Sequence, residues 1–397
     1  MNGPGRTLVN HPLWPDGVEA NGHSSSDRRY LVVPSLDDPR LVLPTRPRKS
    51  GARIVRALRN GSSMGARART TAMNAATLVN LRSHTLPTPS LFEVVAGSLG
   101  GSSDDFAMGV HLGPPRANRK PVLAIADSRG KLVAFAKYGV DALTDQLVGR
   151  EAATLAELSE LVEHQRIVNT RVPRLIAHGT HDGHQYVVQA PVPTTPRARN
   201  PQAVVASQTE IALLRRDFDQ ASAAAAIRAQ WLSRAQSTGD PSTTAFAEIA
   251  LAWCTEVQDA ALEWGSWHGD WRTTNMAITP AGCSVWDWER FAEGVPVGYD
   301  ALHLFLTNRQ ASVRDLSGLP HDVRENAARV LRPFGVTDRR AVELTVTGYL
   351  LELAGRYLDD DQAQAGARLG AVGQWLLPHL AGSAPRPHTA GRKDSST

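Results

Sequence analysis

Two aspartates and one asparagine lie close together between residues 267 and 291, and their side chains suit chemistry on phosphate groups. Asn275 follows Asp270 by five residues, and Asp287 comes directly after a second apolar run. Carboxylate and amide oxygens are ligands that Mg²⁺ accepts together with phosphate oxygens and water. Another carboxylate can accept or orient the proton of an attacking hydroxyl group. The stretch therefore predicts a site for phosphoryl transfer.

A turn between two short apolar runs has to bring these side chains together. The runs are Met276-Ala277-Ile278 and Ser284-Val285-Trp286, and a segment with one proline and one glycine separates them. Proline and glycine between two such runs are typical of a β-hairpin. Asn275 would then begin one strand, and Asp287 would follow its antiparallel partner. Both residues would lie at the same end of the hairpin, near the loop that carries Asp270.

The same stretch resembles the aminoglycoside phosphotransferase and choline kinase-like family, which has a protein-kinase-like fold. The matching residues are His268, Gly269, Asp270 and Asn275 of an H-G-D-x-x-x-x-N motif, the run Asp287-Trp288-Glu289, and Gly298-Tyr299-Asp300 downstream. The resemblance implies that Asp270 is the catalytic base and that Asn275 and Asp287 bind Mg²⁺. It also implies that Arg272 faces the transferred phosphate and that Asp300 braces the catalytic loop.

A lysine on the N-terminal sheet is needed to hold the nucleotide. Apolar runs at 122–126 and 132–136 flank a turn with a glycine and predict a hairpin, and Lys137 follows its second strand. A helix is expected from about 141 to 163. The resemblance implies that Lys137 contacts the inner phosphates of ATP or GTP and pairs with a glutamate on that helix. Glu151 fits the family pattern best, and Glu157 and Glu160 are alternatives.

The small lobe is expected to be a five-stranded sheet, and the segment after it to be the hinge between two lobes. The strands are placed near 106–112, 121–126, 132–136, 172–177 and 185–189, and residues 91–95 are expected to form a further strand. The hinge spans 190–193. By the resemblance, the adenine base binds there, with Gln189 and Pro191 as its contacts. Proline at position 191 restricts the backbone of this crossing.

Two segments compete for the turn over the nucleotide phosphates. Residues 97–103 are rich in glycine and serine, and the backbone N–H groups of such segments can cradle phosphate. They lack a G-x-G-x-x-G pattern, however, and such clusters are usually linkers. The loop at 113–119 lies between two expected strands and is the better candidate. It is not glycine-rich, which departs from the protein-kinase pattern.

The chain after the hinge is expected to be helical. Helices are predicted at 203–216 and 221–234, from 243 or 244 to 263, after Asp300, and at 320–331, 338–358 and 361–380. Apolar spacing gives the third of them a buried stripe, consisting of Phe246, Ile249, Ala250, Trp253, Val257 and Leu262. The helices after Asp300 would form the walls of an acceptor pocket.

These elements predict an α+β, two-lobed, protein-kinase-like fold with an N-terminal extension. Residues 1–90 would be the extension, partly disordered, with a hairpin at 30–43, a helix at 51–60 and a helix or mixed segment at 72–82. Residues 91–190 would form the N-lobe, and 191–381 the helical C-lobe with the catalytic loop and the acceptor site. Residues 382–397 would be a disordered tail.

Composition excludes several classes of protein. Hydrophobic residues make up 42% of the 397 residues and charged residues 21%, which is normal for a soluble globular protein. Two cysteines form neither a disulfide framework nor a zinc site, and buried thiols in a reducing cytoplasm are expected. Residues 1–16 lack the apolar core of a signal peptide. No apolar run is long enough for a membrane helix.

A basic cluster at residues 46–69 gives a rival hypothesis. It holds eight basic residues and no acidic one, whereas the rest of the chain is slightly acidic. Such a cluster can attract nucleic acid or anionic lipid, but a solvated surface is the simpler interpretation. No RNA-binding motif accompanies it, so we expect no nucleic-acid partner.

The sequence as a whole predicts a Mg²⁺-dependent kinase. It would transfer the γ-phosphoryl group of ATP or GTP to a hydroxyl of a sugar, an aminoglycoside-like compound or another small metabolite. Acidic and basic residues nearly balance between 300 and 380, so nothing singles out a polycationic acceptor. The alternative is a catalytically weak kinase-like module that binds a nucleotide or a partner. The sequence leaves the oligomeric state open.

Overall fold

The computed structural model describes residues 11–14, 28–46, 54, 83–113, 116–194, 200–214, 219–237, 241–258, 260–280, 282–360 and 371–383. Several predicted features lie outside these residues. They are the helix at 51–60 apart from Ile54, the helix or mixed segment at 72–82, the basic cluster apart from Arg46, and nearly all of the tail. Within the described part of the chain, no helix is long and apolar enough to cross a bilayer.

An antiparallel eight-stranded sheet forms the N-terminal lobe. The strands up to residue 189 are β1 (Arg28–Pro34), β2 (Pro39–Pro44), β3 (Ser83–Leu86), β4 (Phe106–His111), β5 (Val122–Asp127), β6 (Leu132–Tyr138), β7 (Thr170–Arg171), β8 (Leu175–His181) and β9 (His184–Gln189). The sheet runs in the order β3-β1-β2-β4-β5-β6-β9-β8. The short β7 belongs to a different sheet.

The prediction of five strands was wrong, because three strands from residues 28–86 extend the sheet. The predicted hairpin is present as β1 and β2. It pairs onto β4, where Leu41 lies opposite His111 and Val42 opposite Val110. Pairing satisfies the backbone groups of the β4 edge and buries Val42 and Leu43 completely. Residues 28–44 therefore continue the sheet that holds Lys137.

The strand predicted at 91–95 was also wrong, because this segment is the helix α1 (Ser90–Ser98). Its buried residues are Leu91, Phe92, Val95 and Ala96. They recur at the spacing of one helical face rather than alternating as in a strand. A short apolar run of this kind cannot be assigned to either structure from periodicity alone.

The helix predicted at 141–163 is α2 (Ala142–Glu163), and it connects the two lobes. Asp141 caps its first turn by accepting a 2.8 Å hydrogen bond from the backbone N–H of Thr144. Its buried face belongs to a hydrophobic cluster that includes Trp271, Val285 and Trp288 from the C-terminal lobe. The side chain of Glu151 projects from this buried face.

Helices make up most of the C-terminal lobe. They are α3 (Pro201–Ala212), α4 (Gln220–Ser237), α5 (Pro241–Gln258), α6 (Tyr299–Gln310), α7 (Leu319–Leu331), α8 (Arg339–Asp359), α9 (Val372–Trp375) and α10 (Leu377–Ser383). The predicted stripe of α5, including Leu262 beyond its end, is buried. The prediction that this helix ends at 263 was wrong, because it ends at Gln258 and a strand begins at Trp264. The predicted helix at 361–380 is, in its described part, two short helices.

Two small sheets position the candidate site in this lobe. Strand β10 (Trp264–Trp267) pairs with β13 (Ala292–Pro296), and the predicted hairpin is β11 (Met276–Thr279) with β12 (Gly282–Val285). The loop after β10 carries Asp270, and the segment after β12 carries Asp287. Both cysteines are buried free thiols. The architecture is therefore the predicted α+β fold with a sheet lobe and a helical lobe.

Candidate active site

Asp270 accepts hydrogen bonds from three side chains. Its Oδ1 lies 2.9 Å from Arg272 Nε and 3.1 Å from His303 Nε2, and Arg272 Nη2 contacts the same oxygen. Its Oδ2 accepts a 2.8 Å bond from Asn275 Nδ2. A carboxylate offers about four acceptor positions. Oδ2, with a single donor among the described residues, therefore retains room for a hydroxyl group.

The charge of Asp270 is fixed by its surroundings. Burial disfavours the ionised carboxyl group, but Arg272, His303 and Arg356 outweigh it and hold the pKa of Asp270 well below its usual range. Burial lowers the pKa of His303 to about 4, so the ring is neutral at pH 7. Its Nε2–H then donates to Asp270, while Nδ1 accepts from the Tyr349 hydroxyl at 3.0 Å. Asp270 is thus an ionised acceptor with a fixed orientation.

The backbone before Asp270 is held from two sides. The Asp300 carboxylate accepts the N–H of His268 at 2.7 Å and the N–H of Gly269 at 3.2 Å. Arg356 Nη1 donates to the carbonyl of Gly269. Gly269 has a φ of 84°, and a Cβ there would lie 2.1 Å from the carbonyl oxygen of Arg290. Glycine is therefore required at this position for both conformation and space.

His268 connects the loop to the hairpin. The N–H of Asp270 donates to His268 Nδ1 at 3.1 Å, so the ring proton lies on Nε2 and faces the Trp286 carbonyl at 3.1 Å. Burial lowers the pKa of His268 to about 4, which agrees with a neutral ring. The motif histidine thus positions two backbone segments, and its ring does not bond to the Asp270 carboxylate.

The hairpin brings Asn275 and Asp287 to one end, as its sequence predicted. The Trp286 N–H donates to the Asn275 carbonyl at 3.0 Å, which extends the β11–β12 pairing up to Asp287. Asp287 has φ 76° and ψ 53°. This left-handed conformation is costly for most side chains but tolerated by Asp and Asn, and it recurs at functional sites.

Lys137 joins the two lobes through carboxylates. Its Nζ lies 2.6 Å from Glu151 Oε1 and contacts Asp287 Oδ1. Burial disfavours the ammonium group, but Asp287, Glu151 and Glu289 outweigh it and raise the pKa of Lys137. Burial likewise opposes ionisation of Asp287, but Lys137 and Lys120 hold the pKa of that carboxyl group below its usual range. The ammonium group and the Asp287 carboxylate are therefore both charged at neutral pH.

The structure distinguishes between the glutamates that the sequence left open. Glu151 is fully buried and contacts Lys137. Glu157 is partly exposed and Glu160 is exposed. The helical spacing of α2 places only Glu151 on the face that packs against the sheet and the hairpin.

A second buried ion pair was missed by the sequence reasoning. Lys120 contacts Glu289, and their side chains are only 6% and 5% exposed. The carboxylates of Glu151, Asp287 and Glu289 lie within 4.8 Å of one another. The sequence carried no clear signal, because Lys120 lies just before β5, outside the strand whose first residue, Val122, pairs with Lys137.

His303 and Arg356 were missed for a different reason. They lie on α6 and α8, and the apolar pattern of these helices indicated only core packing. His303 is fully buried and Arg356 is 7% exposed. The Arg356 guanidinium lies 5.4 Å from the ring centroid of Trp267. No local signal distinguishes such a residue from others on a long helix, because its partner is on a distant loop.

The side chains at the end of the hairpin fit a magnesium ion. Among the described residues, Asn275 Oδ1 accepts one hydrogen bond, from the Thr274 hydroxyl at 3.3 Å. The Asp287 side chain is 29% exposed, which is more than its partners Lys137 and Glu151. An amide oxygen and an accessible carboxylate are hard donors of the kind that Mg²⁺ binds beside phosphate and water. Asn275 and Asp287 are therefore suitable ligands in type, and the hairpin places them at the same end.

The expected base-binding residues lie where β9 meets the hinge. Gln189 is buried, and its Oε1 has no hydrogen-bond partner among the described residues. The N–H of Ala190 donates to the Arg174 carbonyl at 2.9 Å, and Pro191 has no N–H group. These two hinge residues therefore offer carbonyl groups, and no free N–H, to a nucleotide base.

The glycine-rich segment at 97–103 has its amides engaged. Gly100 and Gly101 donate to α1 carbonyls at 3.0 and 3.1 Å. Ser102 and Ser103 donate to the carboxylates of Asp105 and Glu93. Such N–H groups are not available for phosphate. In the competing loop, residues 114 and 115 lie outside the described chain.

The chain has only limited similarity to known proteins. No family model matches the chain, and no curated protein matches it. A thermostable aminoglycoside phosphotransferase APH(4)-Ia mutant, in complex with AMP-PNP and hygromycin B, has a TM-score of 0.48 and 13% identity over 76% of this chain and 100% of that one. APH(3'')-Id from Streptomyces rimosus, with ADP and streptomycin, has a TM-score of 0.38 and 17% identity over 64% and 96%.

A third solved structure is the amicoumacin kinase hAmiN with AMP-PNP, Ca²⁺ and Ami. Its TM-score is 0.41, with 10% identity over 67% of this chain and 86% of that one. These three similarities are structural only, at identities of 10% to 17%. At such scores they give no role to any residue, so the roles below depend on the geometry of this chain.

Proposed function

We propose that this protein transfers the γ-phosphoryl group of ATP or GTP to a hydroxyl group of a small molecule. One observation carries the proposal. An ionised aspartate with a free acceptor position, Asp270, lies beside a buried lysine–carboxylate cluster that includes Asp287. The first group suits an attacking hydroxyl, and the second suits a polyphosphate. Phosphoryl transfer needs mainly this positioning and charge stabilisation.

Asp270 acts on the acceptor. Its Oδ2 accepts the hydrogen bond of the acceptor hydroxyl and thereby directs the oxygen at the γ-phosphorus. The new P–O bond forms as the bond from the γ-phosphorus to the β,γ-bridging oxygen breaks, and ADP or GDP leaves. The hydroxyl proton passes to Asp270. Because the pKa of Asp270 is held low, this transfer comes late, and orientation is the main contribution of the carboxylate.

Lys137 acts on the phosphate donor. Glu151 holds the ammonium group at the face of the sheet, from which it reaches the inner phosphates. Asn275 and Asp287 would hold the magnesium ion, which supplies positive charge to the phosphate oxygens when bound. We assign the base to the hinge, where Gln189 Oε1 is a buried acceptor without a partner among the described residues. Arg272 stays beside Asp270, where a phosphate between donor and acceptor would also contact it.

The acceptor is proposed to be neutral or anionic. Arg272, Arg290 and Arg356 all lie near enough to Asp270 to interact with its charge. The carboxylate of Asp360 on the same side is already paired with Arg290. A polycationic acceptor would meet these guanidinium groups with repulsion. A sugar or another hydroxylated metabolite fits better than an aminoglycoside.

The first experiment measures thermal stability with ATP or GTP, with and without Mg²⁺. A ligand that binds the native state raises the melting temperature by mass action. We expect a rise that depends on Mg²⁺ in the wild type and is weaker in Asp287→Asn. If neither nucleotide raises the melting temperature, the proposal is wrong, and the partner-binding alternative gains.

Turnover is then measured as ADP release with a panel of hydroxylated acceptors. We expect Asp270→Asn to lower kcat by about 10²- to 10⁴-fold, the usual contribution of a positioned acid–base group. Its nucleotide binding should remain. Lys131→Met, at an exposed turn position, is the control and should behave as the wild type. Equal turnover in Asp270→Asn and the wild type would remove Asp270 from the mechanism.

A further inference from the structure

Lys120 has an unusual position for a lysine outside the expected site. Its side chain is 6% exposed and ends at Glu289, in the segment that also carries Asp287. Lysine is almost never buried to this degree without a specific partner. Because Lys120 belongs to the sheet lobe and Glu289 to the helical lobe, the pair bridges the cleft in which the nucleotide is proposed to bind.

Lys120 also lies on the same side of the sheet as Lys137. Strand β5 pairs with β6 so that Val122 lies opposite Lys137, and the backbone N–H of Tyr138 donates to the carbonyl of Pro121. Both ammonium groups face one carboxylate cluster. Burial raises the pKa of Asp287, but the charge of Lys137 lowers it most strongly and the charge of Lys120 lowers it further. The two lysines are thus neighbours around the same carboxylates.

The loop before Lys120 cannot supply many backbone donors. Its sequence is Gly113-Pro114-Pro115-Arg116-Ala117-Asn118-Arg119. Two of these residues are prolines, which have no N–H group. The other candidate cradle, at 97–103, uses its amides internally. Side-chain donors would therefore add to the few backbone N–H groups that this loop can offer a polyphosphate.

We propose that Lys120 is a second phosphate-binding lysine, which exchanges Glu289 for the phosphates of the bound nucleotide. The inference rests on the proposed nucleotide site. Glu289 holds the ammonium group at the cleft, as Glu151 holds Lys137. The exchange replaces one charge-assisted hydrogen bond with another, so Lys120 stays paired throughout. Its ammonium group supplies hydrogen-bond donors to the phosphate oxygens, as the backbone N–H groups of glycine-rich loops do in other proteins.

The competing explanation is that the pair is only a latch between the lobes. A latch would change the affinity for every ligand of the cleft equally, because it acts on the shape of the cleft. A phosphate-binding lysine changes affinity only for ligands that carry the phosphates. The dependence of affinity on phosphate number therefore separates the two explanations.

The experiment measures, by calorimetry with Mg²⁺, the affinities for the nucleoside, its diphosphate and its triphosphate. It uses the adenosine or guanosine series, whichever base binds. In Lys120→Met we expect the triphosphate to lose about 10- to 100-fold in affinity, the worth of one hydrogen bond to a charged group. The nucleoside should keep wild-type affinity. Lys120→Arg should retain most of the increase in affinity from nucleoside to triphosphate. The control Lys131→Met should retain all of this increase.

Glu289 provides the second variant. Lys120→Met leaves the Glu289 carboxylate buried without its partner, so Lys120→Met/Glu289→Gln removes both charges and protects the fold. We expect the double variant to show the same selective loss of triphosphate affinity. Glu289→Gln alone should lower the melting temperature, because it leaves the Lys120 ammonium group buried without its carboxylate partner.

Three results would contradict the inference. Equal losses for nucleoside and triphosphate in the Lys120 variants would identify a latch. If the affinity of the double variant rose from nucleoside to triphosphate as much as that of the wild type, Lys120 would take no part in phosphate binding. If the wild type itself gains no affinity from nucleoside to triphosphate, the proposed function fails, and the role of Lys120 fails with it. The first two results leave the proposed function standing.

Discussion

The site has two halves that are built in different ways. The acceptor half consists of Asp270, Arg272, Asn275 and His303. The donor half consists of Lys120, Lys137, Glu151, Asp287 and Glu289. The acceptor half lies within the helical lobe and combines one ion pair with hydrogen bonds that neutral side chains donate to Asp270. The donor half joins two lobes, and its side chains form lysine–carboxylate pairs.

This difference shows how each half can respond to ligands. In the acceptor half the carboxylate is oriented by neighbours on the same loop and on α6, so it is ready for a hydroxyl group. In the donor half the lysines and carboxylates satisfy one another. A polyphosphate and a divalent cation together would offer each of them a new partner of opposite charge. We infer that the first half is preorganised and the second exchanges partners on binding.

The largest expected effect concerns stability in the donor half. Lys137→Met would leave the buried Glu151 without its ammonium partner and would remove one of the two lysine charges that act on Asp287. Removing one partner of a buried ion pair typically costs about 3–5 kcal/mol. We therefore expect a loss of that order in the free energy of unfolding, measured by urea denaturation. No substitution in the more neutral acceptor half should cost as much.

The matched controls separate charge from side-chain volume. Lys131→Met makes the same replacement at an exposed position and should change stability by less than about 0.5 kcal/mol. Lys137→Met/Glu151→Gln should recover part of the loss, because the deeper carboxylate is removed. If the single variant is as stable as the wild type, the donor half is not held together by charge.

A smaller effect should appear in how stability depends on pH. Burial raises the pKa of Asp300, which braces the acceptor half, to about 7, whereas an unfolded aspartate titrates near pH 4. Between these values the native state binds more protons than the unfolded state. The contribution of Asp300 to stability therefore falls as the pH rises from about 4 to about 7. The slope is at most about 1.4 kcal/mol per pH unit.

Asp300→Asn tests this by removing the titrating group. We expect the stability difference between wild type and variant to change across pH 4–7, measured by denaturation at each pH. His268 and His303 titrate in the same range with the opposite sign, but both proteins contain them, so their effect cancels. Two parallel stability curves would show that Asp300 does not titrate in this window.

The smallest effect concerns the pH profile of turnover. Arg272 is the largest favourable influence on the charge of Asp270 and holds its pKa low. Removing this charge in Arg272→Met raises the pKa of Asp270, so the acid limb of kcat/KM should move to higher pH. Arg309→Met, which breaks an exposed pair with Asp322, is the control. If the acid limb of the kcat/KM profile lies at the same pH in Arg272→Met and the wild type, the ionisation of Asp270 does not determine that limb.

The sequence was most informative where the site is local. The hairpin turn and its apolar runs located Asn275 and Asp287 together, and the family resemblance favoured Glu151 over Glu157 and Glu160. It was wrong at 91–95, because a short apolar run fits a strand or a helix equally well. It predicted the hairpin of β1 and β2 but missed β3 and the pairing of β2 onto β4, since edge pairing depends on segments far apart in the chain.

By itself, the sequence determined the spacing of Asp270, Asn275 and Asp287 and the residue types that make phosphate chemistry a reasonable prediction. Only the tertiary structure decided which groups face them. Lys120 reaches Glu289 across 169 positions, and His303 reaches Asp270 across 33. Local spacing follows from the covalent chain and its turns. Contacts across the cleft follow from how sheet, helix and hairpin pack, which no short window of sequence contains.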